Sequence, residues 1–324
     1  MIRLLRKYKI LFAALLLFVL FLFILINPTF FVKRSNLHIE INKEQLYKDV
    51  EYLVNIQPPR NNNNIESLNK AADFIIERFK SFGCDLEIQK YSVMDKEYKN
   101  IICAFGLKEA ERIIIGAHYD VFFNQPGADD NASGIAGLLE LGRLINENQL
   151  KLKDRIDLVA YTLEEPPYFK TDKMGSAVHA RSLYEANIKV KAMIALEMIG
   201  YFSDKPNSQT YPSLLLKLIY PNKGNYITII GKFKEWNLVK KIKKGMIAST
   251  NISVKSVNAP IYIPGIDFSD HLNFWQYKYK AVMVTDTSFY RNKNYHEKSD
   301  TIETLDFNKM SEVIKGVYSA VINL

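Results

Sequence analysis

The stretch from Arg112 to Asp120, Arg-Ile-Ile-Ile-Gly-Ala-His-Tyr-Asp, determines how the rest of the sequence is interpreted. Residues 112–117 form a short and almost entirely apolar run, which is typical of a central strand covered on both faces. His118 and Asp120 follow this run directly. The sequence therefore predicts a buried strand whose carboxyl end carries titratable side chains.

Similar apolar runs recur along the chain and alternate with helical patterns, such as residues 132–146. This alternation predicts an α/β domain with a largely parallel central sheet. Residues 203–235 and 251–268 are rich in Pro, Asn, Tyr and Ile, and we expect them to be long excursions from the sheet. The other predicted helices are 43–55 and 65–82, and the other predicted strands are 86–93, 100–105, 156–162, 192–196 and 281–285.

Every predicted parallel strand is followed by a histidine or a carboxylate, and ligands of open α/β sheets bind at this edge. Each such residue alone has an ordinary explanation, such as a solvated acidic face or a helix cap. Together, two histidines and three carboxylates make the ligand set of a two-zinc hydrolase. A further acid would repel its neighbours unless it served as a base near the metal. These residues are His118, Asp120, Asp129, Asp130, Glu164, Glu165, Glu197 and His296.

Five strings of this sequence resemble metallopeptidase family 28, the family of co-catalytic zinc aminopeptidases. That family also includes glutamate carboxypeptidases and, as relatives, the glutaminyl cyclases. The resemblance runs from about residue 43 to the C-terminus and implies a single α/β domain with a mixed, mostly parallel sheet flanked by helices on both faces. The strings are His118-Tyr-Asp120, Pro126-Gly-Ala-Asp-Asp-Asn-Ala-Ser-Gly134, Glu164-Glu165, Gly175-Ser176, and Tyr295-His296 with Asp300-Thr301 downstream.

The resemblance implies that Asp130 bridges two zinc ions. His118 and Glu197 would complete the ligands of one ion, and Glu165 and His296 those of the other. Many family members have Asp where this chain has Glu197. Either carboxylate suits zinc, but the additional methylene of Glu would shift the metal or change its coordination mode.

The resemblance also implies that Glu164 is the general base of a metal-assisted hydrolysis. Asp120 would accept the second ring N–H of His118 and so fix its tautomer. The string Ser269-Asp270-His271 is shared with the family as well. We expect Asp270 and His271 to support the wall of the site, and the alternative for His271 is contact with the substrate or with a ligand.

The N-terminus predicts a membrane anchor, because every residue from Ile10 to Ile26 is apolar. We expect a basic tail at 1–9, a transmembrane signal anchor at 10–32, a linker at 33–42 and a catalytic domain at 43–324. The segment has no small-residue cleavage pattern, which favours an anchor over a cleaved signal. Four cations precede it and two follow, so the N-terminus is expected in the cytoplasm, with the catalytic domain in a periplasm, on a cell surface or in a lumen.

The charge distribution argues against nucleic-acid binding. The chain has 43 basic and 35 acidic residues, and six of the basic residues lie in residues 1–34, where no acid occurs. The remaining chain is almost neutral and has no basic stripe. Cys84 and Cys103 are the only cysteines, and the sequence leaves open whether they form a bridge or remain two buried thiols.

The sequence thus predicts a membrane-anchored zinc exopeptidase that acts on peptides, most simply an aminopeptidase. The first alternative is acyl transfer of the glutaminyl cyclase type with one zinc ion, although His118 and the intact Asp-Asp-Asn-Ala-Ser-Gly string favour the peptidase. The second is a catalytically silent ectodomain, but that would normally lack a ligand or the base. No sequence feature specifies an oligomeric state. Several side chains either line an apolar substrate pocket or pack loops, namely Tyr201, Phe202, Tyr262, Phe268 and Trp275.

Overall fold

The computed structural model describes residues 2–149 and 151–324. In chain order the strands are β1 Asp85–Val93, β2 Lys96–Phe105, β3 Arg112–His118, β4 Arg155–Tyr161, β5 Val190–Glu197, β6 Tyr226–Gly231, β7 Ser253–Asn258 and β8 Ala281–Thr285. The helices are α1 Ile2–Ile26, α2 Lys43–Val54, α3 Ile65–Lys80, α4 Gly134–Asn148, α5 Gly175–Glu185, α6 Leu214–Ile219, α7 Trp236–Ser249, α8 His271–Gln276 and α9 Phe307–Ile322.

The strands form one mixed sheet in the order β1-β2-β4-β3-β5-β8-β6-β7. Strand β3 lies inside the sheet and pairs in parallel with β4 and β5, and β5 continues in parallel to β8. The β1–β2, β2–β4 and β6–β8 pairs are antiparallel, and β6–β7 is parallel. The predicted α/β class with a mixed, mostly parallel sheet is confirmed.

The apolar run of β3 contributes side chains to the hydrophobic clusters on both faces of the sheet. Ile113 and Ile115 belong to a hydrophobic cluster with residues of α2, α3, α4, α7 and α9. Ile114 belongs to a second cluster with residues of α5, α6, α8 and the end of α1. Successive side chains of a strand point to opposite faces, so a continuous apolar run is what a strand covered on both sides needs.

The expectation for residues 203–235 and 251–268 was wrong in part, because these segments contain β6 and β7. Strand β7 is at the edge of the sheet, and its sequence, Ser-Val-Lys-Ser-Val-Asn, alternates exposed or half-buried residues with buried ones. A short edge strand of this composition has little of the apolar signal that marks the central strands.

Helix α1 ends at Ile26, before the predicted end of the transmembrane segment at residue 32. Asn27 follows with a φ of 47°, and Pro28 has no N–H to continue the helix. The stretch Lys9–Ile26 has a mean hydropathy of 3.1 and is long and apolar enough to cross a membrane. Met1 of the predicted basic tail and the side chains of residues 2–8 lie outside the described residues.

The two cysteines are bridged in the structure. Cys84 directly precedes β1 and Cys103 lies on β2, with their Cα atoms 5.4 Å apart. The bridge closes a loop with a sequence separation of 19 residues. It therefore ties the end of α3 to the antiparallel pair at one edge of the sheet.

Replacing both cysteines, Cys84→Ala with Cys103→Ala, should lower the free energy of unfolding by about 3 kcal/mol, because a loop of this length loses its closure. Urea unfolding of the full chain in detergent measures the change. Wild-type protein unfolded in the presence of a reductant is the matched control and should give the same loss. An unchanged unfolding midpoint would show that the bridge contributes nothing to stability.

Candidate metal centre at the carboxyl ends of the strands

Three neighbouring parallel strands bring their carboxyl ends to one edge of the sheet. His118 is the last residue of β3, and Glu197 is the last residue of β5. Glu164 and Glu165 follow shortly after β4. Because β4, β3 and β5 are adjacent and parallel, these side chains meet above the same edge.

Asp130 and His296 reach the same place from loops. Asp130 lies in the irregular turn 128–133, which leads into α4, and its φ and ψ of −105° and 88° are not helical. His296 comes from the loop after β8 and has a φ of 59°. Its ring stacks on Phe122, with the ring centroids 4.0 Å apart. The structure therefore brings together all six residues for which metal binding or base catalysis was predicted.

The histidines and carboxylates form two groups that share Asp130. In the first group, His118 Nε2 lies 3.4 Å from Asp130 Oδ1 and 3.4 Å from Glu197 Oε2. In the second, His296 Nε2 lies 3.3 Å from Asp130 Oδ2 and 3.3 Å from Glu165 Oε2. Each oxygen of Asp130 thus faces a different histidine.

Three atoms of this cluster are buried and have no hydrogen-bond partner within the described ranges. They are His118 Nε2, Asp130 Oδ2 and Glu165 Oε1. A buried polar atom without a partner is costly. Ligand atoms of these same three residues lie within 4.8 Å of one another. The nitrogen and oxygen donors fit a divalent metal ion, which would supply the missing partners.

The charges in the cluster shift the pKa values of its members in opposite directions. Burial lowers the pKa of His296, but Asp130 and Glu165 outweigh it, so that the pKa of His296 is raised to about 10. The pKa of Asp130 is held below its usual range, because the two histidines outweigh the effect of burial. Burial and the charge of Asp130 raise the pKa of Glu165 to about 8.

Glu164 lies beside the cluster without being one of its closest members. Its Oε2 is 3.9 Å from His118 Nε2, and only 6% of the residue is exposed. Burial, together with the charges of Glu197, Glu165 and Asp270, raises the pKa of Glu164 well above its usual value. A carboxylate in this environment accepts a proton readily at neutral pH.

Asp120 lies beside His118 and also holds the neighbouring loop. Its backbone carbonyl is 3.2 Å from His118 Nδ1, and its carboxylate, the predicted partner of that ring, is 3.5 Å from the same atom. The carboxylate also accepts hydrogen bonds from the backbone N–H groups of Glu164, at 3.2 Å, and Glu165, at 3.1 Å. Asp120 therefore holds the loop after β4 against the end of β3.

Asp300 performs the same task for the Asp130 turn. Its two carboxylate oxygens accept the backbone N–H groups of Asp129 and Asp130, each at 3.0 Å. Burial, followed by the charge of Asp129, raises the pKa of Asp300 to about 8. Both acidic segments of the site are thus held through their backbones by a further buried carboxylate.

Arg60 is a functional residue that the sequence did not reveal. It is 1% exposed, and its guanidinium donates to the backbone carbonyls of Tyr119, Pro126 and Gly127. A further N–H of the same group donates to Leu53. A single arginine after Pro58-Pro59 has no sequence signal that separates it from a surface cation. In the fold it joins the two loops that carry His118 and Asp130.

The string Ser269-Asp270-His271 supports the site from one side. Ser269 Oγ donates to Glu197 Oε2 at 2.8 Å. His271 Nε2 lies 2.8 Å from the backbone carbonyl of Ile266, and burial lowers the pKa of His271 to about 4. Burial raises the pKa of Asp270 to about 7. His271 therefore holds the segment that contains Ile266, away from the metal-ligand atoms.

An apolar cavity of about 140 Å³ adjoins the acidic cluster. Of the five side chains predicted for such a pocket, Phe268 is a lining residue, whereas Tyr201, Phe202, Tyr262 and Trp275 are not. Tyr262 is 79% exposed. Most of the lining comes from residues 203–235 and 251–268. The apolar lining residues include Tyr211, Leu216, Tyr220, Tyr226, Ile230, Val257, Ile263, Ile266, Met283 and Phe289.

Comparison with known proteins finds peptidases among the relatives of this chain. The sequence model of Peptidase family M28 matches residues 100–321. The uncharacterized protein YfbL of Escherichia coli is 47% identical over 86% of this chain and 88% of its own length. Leucine aminopeptidase 1 of Ajellomyces capsulatus is 25% identical over 80% of this chain, which spans 66% of that relative.

Two solved structures share the fold at low sequence identity. The LapA aminopeptidase of Legionella pneumophila has a TM-score of 0.68 at 20% identity and covers 88% of this chain and 73% of its own. A glutaminyl cyclase of Bacteroides thetaiotaomicron, bound to N-acetylhistamine, has a TM-score of 0.66 at 18% identity and covers 88% of this chain and 99% of its own. The fold therefore accommodates both chemistries.

Asp120→Asn should lower the free energy of unfolding by about 1–3 kcal/mol. The carboxylate accepts hydrogen bonds from two backbone N–H groups, and in the variant an amide nitrogen, which cannot accept, would face one of them. Denaturant unfolding measures the loss. Asp306→Asn is the matched control, since Asp306 accepts two backbone N–H groups of α9 through a single oxygen, which Asn also has. Equal stability of the two variants would contradict the role given to Asp120.

Proposed function

The chain belongs to peptidase family M28, and from this premise we propose that it is a membrane-anchored, zinc-dependent aminopeptidase. The observation that supports the proposal best is the pair of ligand groups around Asp130, with Glu164 beside them. A catalytically silent ectodomain would have no need of buried acids that destabilise one another. The proposal therefore explains an arrangement that is otherwise unfavourable.

Two zinc ions would occupy the two groups that share Asp130. One would be held by His118, Asp130 and Glu197, and the other by Asp130, Glu165 and His296. The distances of 3.3–3.4 Å between the nitrogen and oxygen atoms of each group support this assignment. The hydrogen bond from Ser269 restrains the longer side chain of Glu197.

In the proposed mechanism Glu164 transfers the protons, and the proposed ligands hold the metal ions. Bound zinc would supply a lower pKa for water and positive charge beside the peptide carbonyl. The Glu164 carboxylate takes a proton from the attacking water and delivers it to the leaving amine. Its position beside the ligand groups, 3.9 Å from His118 Nε2, suits this double task.

The apolar cavity supports a preference for the amino end of a peptide. Among the described residues that line it there is no Lys or Arg to pair with a terminal carboxylate, whereas Asp130, Glu164, Glu165 and Glu197 are all at its edge. Carboxylate oxygens that the zinc ions leave free can accept hydrogen bonds from a terminal ammonium group. The side chain of the N-terminal residue would then enter the apolar part of the cavity.

Helix α1 is proposed to be a signal anchor that places the catalytic domain outside the cytoplasm. Its length and hydropathy suit a bilayer, and the cations of the N-terminus outnumber those directly after the segment. The bridge between Cys84 and Cys103 supports the same orientation, because disulfides persist in oxidising compartments.

Glutaminyl cyclase chemistry is the second candidate, because the fold shared with a solved glutaminyl cyclase includes 99% of the cyclase chain. A single metal ion at Glu165 and His296 would leave His118 and Glu197 without a ligand role. The proximity of His118 to both Asp130 and Glu197 favours the peptidase. A count of bound metal ions distinguishes the two.

Glu164→Gln should lower kcat for a leucine anilide by about 10²- to 10⁴-fold, which is the usual contribution of a general base. Zinc content should remain unchanged, since Glu164 is not one of the proposed ligands. The matched control is Glu185→Gln on the exposed end of α5, which should keep full activity. Hydrolysis by Glu164→Gln at the wild-type rate would refute the role of Glu164.

Zinc affinity of the metal-free protein should rise with pH between 6 and 8. His296 and Glu165, with pKa values of about 10 and about 8, hold protons in this range that zinc must displace. Each displaced proton makes the apparent affinity about tenfold stronger per pH unit. Competition with a zinc chelator measures this slope, and His296→Ala should make it shallower. An affinity independent of pH would contradict the assignment of His296.

The cavity predicts a preference for large apolar N-terminal residues. Leucine and phenylalanine nitroanilides should have a kcat/KM about tenfold or more above that of the alanine compound, because they fill apolar space that alanine leaves empty. The aspartate compound should be the poorest, since its side chain would be buried beside carboxylates. Equal hydrolysis of the alanine and leucine compounds would show that the cavity does not select the substrate.

A further inference from the structure

The end of α1 packs against the catalytic domain instead of standing apart from it. Leu25 is 4% exposed, and the side chain of Asn27 donates to the backbone carbonyl of Trp236 at 2.5 Å. The buried amine of Lys243 on α7 donates to the carbonyls of Ile26 and Asn27, each at 3.0 Å. These contacts set the direction in which α1 leaves the domain.

The apolar run of α1 is slightly shorter than the hydrocarbon core of a bilayer is thick. Residues Ile10–Ile26 span about 25 Å as a helix, against about 30 Å for the hydrocarbon core of a bilayer. Side chains from Ile10 to Phe21 are exposed, whereas Leu22, Leu25 and Ile26 pack in a cluster with the domain. When the whole run is immersed, the domain surface around Leu22–Ile26 must lie at the bilayer surface.

Helix α6 presents an apolar outer face near the end of α1. Tyr220, directly after α6, donates to the backbone carbonyl of Ser256 on β7, whose hydroxyl donates to the backbone carbonyl of Ile26. Leu215, Leu216 and Ile219 pack in the same cluster as the end of α1. Leu214 and Leu218, which are four residues apart and therefore on one face of the helix, are 71% and 77% exposed. Such exposure of neighbouring leucines is unfavourable in water.

The segment 261–263 adds to the same surface, since Ile263 and Leu216 of α6 line one cavity. Ile261 is 55% exposed and Tyr262 is 79% exposed, next to Ile263 of the cluster. Aromatic and aliphatic side chains in this arrangement are typical of the membrane–water interface.

We propose that α6 and residues 261–263 form, with the end of α1, a surface that inserts into the lipid bilayer spanned by α1. The surface rests on the proposed anchoring alone, whereas the substrate class drawn from it rests also on the proposed peptidase function. Leu216, Tyr220 and Ile263 of these segments also line the apolar cavity. The surface therefore holds the cavity beside the lipid, and the substrates are peptides that lie at the membrane surface.

Nitroxide labels on the full chain in phosphatidylcholine nanodiscs test this surface. The labels are placed on Leu218→Cys, on Leu16→Cys within α1, and on Leu107→Cys as the matched control. Leu107 is 72% exposed and follows β2, near the opposite edge of the sheet from β7. The two native cysteines are bridged and do not react with the label.

The ratio of oxygen to nickel-chelate accessibility should be several-fold higher at residues 16 and 218 than at residue 107. A lipid-like ratio at 16 with a water-like ratio at 218 would overturn the surface while leaving the anchor intact. Protection of residue 218 from both reagents would assign it to a protein partner and would also overturn the proposal. A water-like ratio at 16 would refute the anchoring and the surface together.

The substrate class has a separate test in the same nanodiscs. The variant Leu214→Glu with Leu218→Glu should lower kcat/KM several-fold for a peptide with a free N-terminal leucine and a C-terminal palmitoyl group. Hydrolysis of soluble leucine nitroanilide should not change, since neither residue lines the cavity. An unchanged rate on the lipidated peptide, or equal losses on both substrates, would overturn this substrate class. If wild-type protein hydrolysed neither substrate, the peptidase proposal would fail, whereas the accessibility result would stand.

Discussion

Burying several carboxylates at one edge of a sheet is unfavourable unless positive charge lies among them. Asp130, Glu164, Glu165 and Glu197 meet in this way, and each is at most 6% exposed. The two histidines beside them do not satisfy all of their polar atoms. A divalent metal ion would provide the charge and the missing partners, which supports the proposal that the site is a metal centre.

The fold maintains this arrangement by fixing the backbone of each acidic segment. Asp120 holds the loop of Glu164 and Glu165, and Asp300 holds the turn of Asp130. Arg60 joins the loops on either side through backbone carbonyls. The proposed ligands are therefore held in place by the fold itself, so that little conformational entropy would be lost on metal binding.

The central strands and the residues at their ends could be predicted from the sequence, because a continuous apolar run followed by a histidine or an acid is a local pattern. The edge strand β7 was missed because its sequence shows only weak alternation. Strand β6 lies inside the sheet and is buried throughout, but it stands within a segment whose Pro, Asn and Tyr residues indicate a loop. Arg60 and Phe122 could not be found either, because their roles arise from contacts with residues far along the chain.

Zinc-edge anomalous diffraction from crystals of the full chain tests the metal centre most directly. The account predicts two anomalous peaks per chain, one between His118 and Glu197 and the other between Glu165 and His296, with Asp130 between them. In such sites the two ions are about 3.5–4 Å apart. A single peak would contradict the two-metal assignment and favour cyclase-like chemistry, and the absence of any peak in zinc-loaded crystals would contradict the metal centre itself.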